Sequence, residues 1–325
     1  MKSNQKILVT AVLGAISALV LNSALASITP TSIKESPHNL GSGNVQAAGK
    51  TPSGNPIANH SADTAEICVF CHTPHGGDNS AAVPIWNRKL GIGGTGASNY
   101  IRYSALGTTT FDSMEAPIGS VSIACLSCHD GTQAIDNVIN MPGSGGYNFA
   151  TGSRIGNFTG GDQGTGLGPG KLGNPNLIVQ NLTTDLSNDH PISMQFGGGG
   201  VSINNTKPAK MPVDPDFHVP DVMNAPAASG LQKLWYIESG PNSLMPNARD
   251  RQDVILYTRN DVAGGGGVLQ PTVECGSCHD PHNVKNPTFL RISNSGATTI
   301  PNNSDNIYSG ANGGPSGLCL TCHDK

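Results

Sequence analysis

All eight cysteines of this chain fall into four copies of one pattern, Cys-x-x-Cys-His. In chain order, the first to fourth motifs comprise Cys68, Cys71 and His72; Cys125, Cys128 and His129; Cys275, Cys278 and His279; and Cys319, Cys322 and His323. This spacing is the attachment motif for haem c. Each thiol adds to one haem vinyl group, and the following His binds the iron as its proximal ligand. The sequence therefore predicts four covalently attached haems.

Paired cysteines have two other common uses in proteins. An exported chain with eight cysteines can form a disulfide framework, and paired Cys-x-x-Cys units can form zinc ribbons. Neither use requires a His directly after every second cysteine. We therefore expect haem attachment at all four motifs.

The remaining histidines are candidates for the distal ligand, on the other side of each iron. They are His38, His60, His75, His190, His218 and His282, against six internal methionines that cluster nowhere. Methionine is the other common axial ligand, but it is ordinarily a core filler. We expect bis-His ligation at all four sites, and therefore irons with no vacancy for a substrate.

Two of these histidines, His75 and His282, each lie three residues beyond a proximal His. Three residues span at most about 10 Å, too little to reach the opposite face of the same haem. Each is therefore expected to bind a neighbouring haem, in the simplest assignment His75 the second and His282 the fourth. The first and third haems then need ligands from the remaining four histidines, of which His60 and His218 are less favoured.

The motifs form an internal repeat. The first and third continue as Cys-His-x-Pro-His, and the second and fourth as Cys-His-Asp, which predicts haem pairs at about 68–131 and 275–325. A Gly/Pro-rich middle segment, about 140–268, separates the pairs. Charged residues are 12% of the chain, about half of the usual 25% or so. We expect one body over 27–325, a multihaem cytochrome c fold that is mostly loops and turns with short helices and few short strands, wrapped around a chain of four haems.

Local patterns predict only a few elements. Short helical turns are expected after the motifs, ended by Pro74, Gly131 and Pro281. Asp253–Arg259 has strand composition, and Leu231–Glu238 fits either a helix or a strand. Asp130, Asp280 and Asp324 follow proximal histidines and are candidates to orient them or to lie near a propionate. Arg88, Arg102, Arg154 and Arg291 are candidate propionate partners, with solvated surface residues as the alternative reading for both sets.

The chain begins with a basic start, an apolar run and Ala24-Leu25-Ala26, which predict a secretory signal peptide over 1–26. No second apolar run of that length follows, so the mature protein is not expected to span a membrane. The formal net charge of −4 is mild and predicts no nucleic-acid binding.

Several runs together resemble a known family. They are Glu66–Gly76, Pro84–Arg88, Cys125–Gly131, Asp185–Ser193, Glu274–Asn283 and Leu318–Lys325. In this order they are similar to the OmcE-type extracellular tetrahaem c-type cytochromes, a nanowire-forming family. The resemblance implies an extracellular filament with one continuous haem chain, in which a neighbouring subunit donates one axial ligand. It also implies His38, His75, His190 and His282 as the distal ligands.

The chain departs from the family in length. The excess lies in 143–173 and 208–268, where an insertion would either decorate a filament or block the contact that builds one. The leading hypothesis is an extracellular or cell-surface filament subunit, whose partners are copies of itself, other redox proteins and extracellular electron acceptors. The alternatives are a discrete periplasmic or surface-bound carrier and, less favoured, a multihaem oxyanion reductase. Because the motifs are uniform and His is in surplus, we do not expect an enzyme.

Overall fold

The computed structural model describes residues 32–43, 60–90, 100–107, 113–144, 153–155, 158–159, 180–199, 212–225, 234–238, 251–262, 269–284, 286–292 and 316–324. The expected signal peptide and most of 143–173 lie outside the described residues. All four motifs and all six remaining histidines lie within them.

The helices are short, and three of them belong to motifs. They are α1 (Ser122–His129), α2 (Cys275–Cys278) and α3 (Gly317–Cys322). Single 3-10 turns cover Ile33–Glu35, Cys68–Phe70, Tyr103–Leu106, Pro142–Ser144, Phe196–Gly198 and Pro287–Phe289. The sequence had suggested that helical turns follow the motifs. In the structure the turns contain the motif cysteines instead. Both α2 and α3 end because the next residue, His279 or His323, adopts an extended conformation.

A five-stranded antiparallel sheet is built from residues that lie between the second and third motifs in the sequence. Its strands are β5 (Met194–Gln195), β6 (Val222–Ala225), β7 (Leu234–Ile237), β8 (Val254–Arg259) and β9 (Gln270–Val273), in the order β5-β9-β8-β7-β6. Trp235 lies opposite Leu256, and Tyr257 opposite Thr272. The strand expected at 253–259 is present as β8, and the ambiguous segment 231–238 contains a strand, β7.

Two small antiparallel pairs lie nearer the N-terminus. β1 (His60–Ser61) pairs with β4 (Phe158–Thr159), and β2 (Asn137–Val138) pairs with β3 (Ser153–Arg154). Each is only two residues long, so it fixes the path of a loop more than it builds a layer. The five-stranded sheet is the largest sheet in the described part of the chain.

The sheet builds its core from alternate residues. Trp235 and Ile237 of β7 and Val254 and Leu256 of β8 are buried in one cluster with Phe196 and Ile292. Period-two alternation places such residues on one face of a sheet. Phe217, Leu318 and Cys322 pack against this cluster. The sheet therefore supports the fourth motif directly.

Two further clusters surround the first and second motifs. One contains Trp86, Leu90, Tyr100 and Leu126, and the other contains Val69, Phe70, Ile135, Val138 and Ile155. Cys71 packs against both clusters. Protein side chains thus enclose the first two motifs from several segments of the chain. Among the described residues, no helix is both long enough and apolar enough to cross a membrane.

Candidate functional site

The motifs share a backbone turn that places the His one helical turn beyond the first cysteine. The His N–H donates to the carbonyl of the first cysteine in the first, third and fourth motifs, at 2.7 Å for His72, 3.0 Å for His279 and 2.9 Å for His323. Residues four apart lie on the same side of a helical turn. The spacing of the motif therefore directs the first cysteine and the His to the same side.

Three motifs are also held by a short antiparallel contact with another segment. His72 lies opposite Trp86, His279 opposite Leu290, and His323 opposite Phe217. In the first motif, Thr73 N–H donates to Ile85 O and Asn87 N–H to Cys71 O, both at 2.8 Å. In the third and fourth motifs the same two-bond pattern links 278–280 to 289–291 and 322–324 to 216–218. Each of these proximal histidines is therefore fixed from both sides of its backbone.

The side chains of three proximal histidines are oriented by carbonyl oxygens. Nδ1 of His72 is 3.1 Å from Pro84 O, Nδ1 of His129 is 2.8 Å from Gln180 O, and Nδ1 of His279 is 2.8 Å from Thr288 O. A carbonyl oxygen only accepts, so Nδ1 carries the proton in each ring. Nε2 then keeps its lone pair, which is the arrangement found in metal-bound histidines.

Two of these carbonyls are presented by strained turns. Ile85, which follows the Pro84 carbonyl, has φ of 51°, and Thr288 has φ of 56°. Positive φ is a genuine outlier for β-branched residues, and such strain persists where the surrounding structure imposes it. The strain coincides with the atoms that orient His72 and His279.

The cysteines place the four motifs next to one another in chain order. Burial raises the pKa of Cys71 to about 12, and the neighbouring Cys128 thiol raises it further. The thiols of Cys125 and Cys275 share a hydrogen bond. Burial also raises the pKa of Cys278 to about 11, with Cys319 of the fourth motif adding to the effect. The first motif thus adjoins the second, the second the third, and the third the fourth.

All eight cysteines are free thiols in this structure. Their approach across motif boundaries brings the two predicted pairs of motifs into contact with each other. The second motif, on α1, meets the third motif, on α2, although a long segment of chain lies between them. The sequence repeat alone could not predict this contact.

Two pairs of imidazole rings lie close to each other. The ring centroids of His72 and His282 are 6.1 Å apart with an interplanar angle of 17°, and those of His38 and His129 are 6.2 Å apart at 53°. Two imidazoles that bind opposite sides of one metal ion through nitrogens about 2 Å from it have ring centroids about 6 Å apart. Both pairs join a motif His to a predicted distal His, with ring centroids at about that separation.

The assignment of partners differs from the simplest one made on the sequence. His282 lies beside the proximal His of the first motif, where the sequence had suggested the fourth. His38 lies beside the proximal His of the second motif, where the sequence had suggested His75. These pairings depend on long-range packing, so the chain spacing around each His does not determine them.

His38 and His282, the predicted distal ligands in these two pairs, are held in place by neighbours. The ring of Phe289 stacks on His38 with centroids 4.2 Å apart. Burial, then the nearby His129, His282 and His279, lower the pKa of His38 to about 3. A neutral imidazole is the form that binds metals. Nδ1 of His282 is 3.4 Å from a carboxylate oxygen of Asp280, so Asp280 orients the candidate distal ligand and not the proximal His279 that it follows.

The other predicted ligands lie elsewhere. His75 and His190 are exposed, and Nδ1 of His190 contacts the carbonyl of the adjacent Pro191 at 3.1 Å. His60 is half-buried in β1. His218 is buried, and its Nε2 is 3.2 Å from the carbonyl oxygen of His323. Because a carbonyl oxygen only accepts, that nitrogen donates, and His218 supports the backbone of the fourth motif. The neighbouring Phe217 ring has its centroid 4.4 Å from that of the His323 ring.

The candidate propionate contacts mostly have other partners. Asp130 accepts hydrogen bonds from Tyr100 Oη at 2.8 Å and from Thr132. Arg88 is fully buried and donates to backbone carbonyls and to Ser127. Arg102 pairs with Glu115 at 3.5 Å. These side chains support the loops around the motifs.

The sequence reasoning did not predict which segments pair with the motifs. Pro84–Arg88 reads Pro-Ile-Trp-Asn-Arg and Pro287–Arg291 reads Pro-Thr-Phe-Leu-Arg, so each includes the carbonyl that orients a proximal His. This shared Pro-x-aromatic-x-Arg pattern was the available signal. No comparable pattern marks Glu274, which links the second and third motifs and is described below.

No protein-family model matches the chain, and no curated protein matches it. Within the described ranges, no group of three or more His, Cys, Asp and Glu residues is arranged to hold a metal ion by protein ligands alone.

Proposed function

We propose that this chain is an electron-transfer protein that carries four haems c, one on each motif. The observation that carries the proposal is two pairs of neighbouring imidazoles, His72 with His282 and His38 with His129, whose ring centroids are 6.1 and 6.2 Å apart. A haem held by two imidazoles exchanges one electron as its iron changes between Fe(III) and Fe(II).

The residues around the first two motifs support this role. The cysteines provide two covalent anchors on each haem, and the carbonyls of Pro84 and Gln180 keep Nε2 of the proximal His available. Asp280 positions His282 from the other side. With both axial positions taken by imidazole, a site favours electron transfer over substrate binding. We therefore propose a carrier function and no catalytic reaction.

The order of the motifs supports electron movement along the chain. Contacts between cysteines link the first motif to the second, the second to the third and the third to the fourth. Haems anchored to adjacent thiols lie close together. We propose one row of four haems that follows chain order.

The family resemblance supports a finer proposal, a subunit of an extracellular filament. His75 and His190 are exposed and so are accessible to a neighbouring copy. In this arrangement the row of haems continues from subunit to subunit and passes electrons to an extracellular acceptor or another redox protein.

The haem proposal is tested by the mass and absorption spectrum of the exported protein. Four haems, all low-spin, are expected. His282→Ala should convert one haem to a high-spin spectrum, whereas His218→Ala should leave all four low-spin because His218 contacts a carbonyl. Protein without covalent haem would refute the proposal.

The filament proposal is tested by negative-stain electron microscopy of protein sheared from the cell surface. Thin regular filaments would support it. Monodisperse particles of one chain, with all haems low-spin, would refute it and identify a discrete carrier.

A further inference from the structure

A buried carboxylate lies where the two halves of the chain meet. Glu274 precedes the first cysteine of the third motif, and 1% of its surface is exposed. Its Oε2 accepts hydrogen bonds from Ser122 Oγ at 2.5 Å and Ser193 Oγ at 3.1 Å. Ser122 begins α1, the helix of the second motif. The side chain of Glu274 therefore joins the second motif to the third.

Further contacts connect the second motif to the third at this place, which we call the joint. The N–H of Cys275 donates to Ser122 Oγ at 3.0 Å, and the thiols of Cys125 and Cys275 share a hydrogen bond. Glu274 also forms the capping box of α2 with Ser277. A change in the charge of Glu274 thus acts next to the anchoring cysteines of two haem sites.

The joint has an excess of negative charge when Glu274 is ionised. Arg259 Nη1 is 3.1 Å from Glu274 Oε1, but Arg259 Nη2 is also 2.6 Å from Asp261. One guanidinium therefore serves two carboxylates. By contrast, the buried cation between the first and second motifs, Arg88, donates to neutral oxygens at Ser127 and at the carbonyls of 134, 135 and 137.

We propose that Glu274 sets the reduction potentials of the second and third haems through its buried charge. The inference rests on the proposed function, because it requires haems at these motifs. A carboxylate stabilises the oxidised, more positive haem, and the interaction is strong because the surroundings screen it poorly. Glu274 is a positioning and tuning residue and does not bind the iron.

The charge of Glu274 depends on pH. Burial raises its pKa, while Arg259 and the hydroxyls of Ser122 and Ser193 oppose that change. Asp261 acts on Glu274 through Arg259. Cys275, the neighbour of Glu274 on α2, is a thioether once its haem is attached and does not titrate. As pH rises through the pKa of Glu274, the carboxylate forms and the potentials of the two haems should fall.

The test is redox titration of the haem-loaded full chain, followed spectroscopically, for wild type, Glu274→Gln and Ser122→Ala. Gln keeps the shape and an oxygen acceptor but removes the charge. Above the pKa of Glu274, Gln should raise two of the four potentials by about 59 mV, which corresponds to a tenfold change for a one-electron couple. Their pH dependence should also disappear. Ser122→Ala loses a hydrogen bond at the same joint but keeps the charge, so the pH dependence should persist.

Four haems with unchanged potentials in Glu274→Gln would overturn the inference and leave the proposed function intact. An equal shift in Ser122→Ala, with pH dependence lost, would also overturn it by showing a packing effect. Wild type without four haems would refute the proposed function itself. If Glu274→Gln does not load its haems, the wild-type titration decides: two potentials that fall with rising pH support the inference, and four that stay constant overturn it.

Discussion

Replacing Arg88 should remove the most extensively bonded side chain around the first two motifs. Arg88 is 0% exposed. Its guanidinium donates to Ser127 Oγ at 3.1 Å, to Ser127 O at 2.7 Å, and to the carbonyls of Ile135, Ala134 and Asn137 at 2.6, 2.9 and 3.0 Å. Five oxygens from two segments thus accept from one side chain, and one of them, Ala134 O, also accepts from Asn137 N–H at 3.1 Å.

Arg88→Met keeps much of the apolar stem and leaves these oxygens without their donor. Each buried acceptor left unpaired costs about 1–3 kcal/mol, but the terms are not additive. Because single changes above about 4–5 kcal/mol are exceptional, we expect the free energy of unfolding to fall by about 4 kcal/mol. Arg88→Lys supplies three donors in place of five, and about half of that loss is expected.

The assay is urea unfolding of the full chain, followed by the fluorescence of Trp86 and Trp235. With a slope of about 2–3 kcal/mol per molar urea, the midpoint for Arg88→Met should fall by roughly 1.5 M. Arg102→Met is the matched control, because Arg102 is more exposed and its pair with Glu115 should contribute about 1 kcal/mol or less. Equal losses in the Met variants of both arginines would refute the reasoning.

Three further predictions concern ligands, strain and pH. His38→Ala should make one haem high-spin, as judged by absorption and electron paramagnetic resonance, and an unchanged spectrum would contradict its pairing with His129. Ile85→Gly should raise the free energy of unfolding by about 1 kcal/mol, because Gly tolerates the φ of 51°; in the same urea assay, Val213→Gly, at another exposed β-branched residue, should give no gain. Burial raises the pKa of Asp78, but hydrogen bonds from Leu90 and Ser80 and the charge of Lys89 outweigh it, so the net pKa is lowered. Its stabilisation should be complete above the unfolded-state pKa and be lost as pH falls through the folded-state pKa; in Asp78→Asn that part of the acid dependence of stability should be absent.

The sequence predicted local features better than contacts between distant segments. Short helical turns were predicted near the motifs and are present at all four, although they contain the cysteines and do not follow them. The composition of 253–259 indicated a strand because β-branched and aromatic residues favour a pleated surface. These inferences need only neighbouring residues, so one chain is sufficient to make them.

The sheet order and the imidazole pairs could not be predicted in this way. β5 and β9 are distant in sequence, and their pairing depends on where the intervening chain returns. The same holds for His282 beside His72 and for His38 beside His129. The three-residue spacing from His279 excluded the third haem as the partner predicted for His282. It did not indicate which other motif His282 would approach.

The first and third motifs have similar sequences, but one residue that differs between them makes different contacts. Both continue as Cys-His-x-Pro-His, but the variable residue is Thr73 in the first and Asp280 in the third. Thr73 Oγ1 donates to the carbonyl of His75 at 3.1 Å and accepts from Asn140 Nδ2, also at 3.1 Å. Asp280 accepts from the N–H of His282 at 3.0 Å and lies 3.4 Å from its ring nitrogen. The Asp280 carboxylate therefore orients the His282 imidazole, which is exposed like His75, whereas the Thr73 hydroxyl is engaged by the His75 carbonyl and by Asn140.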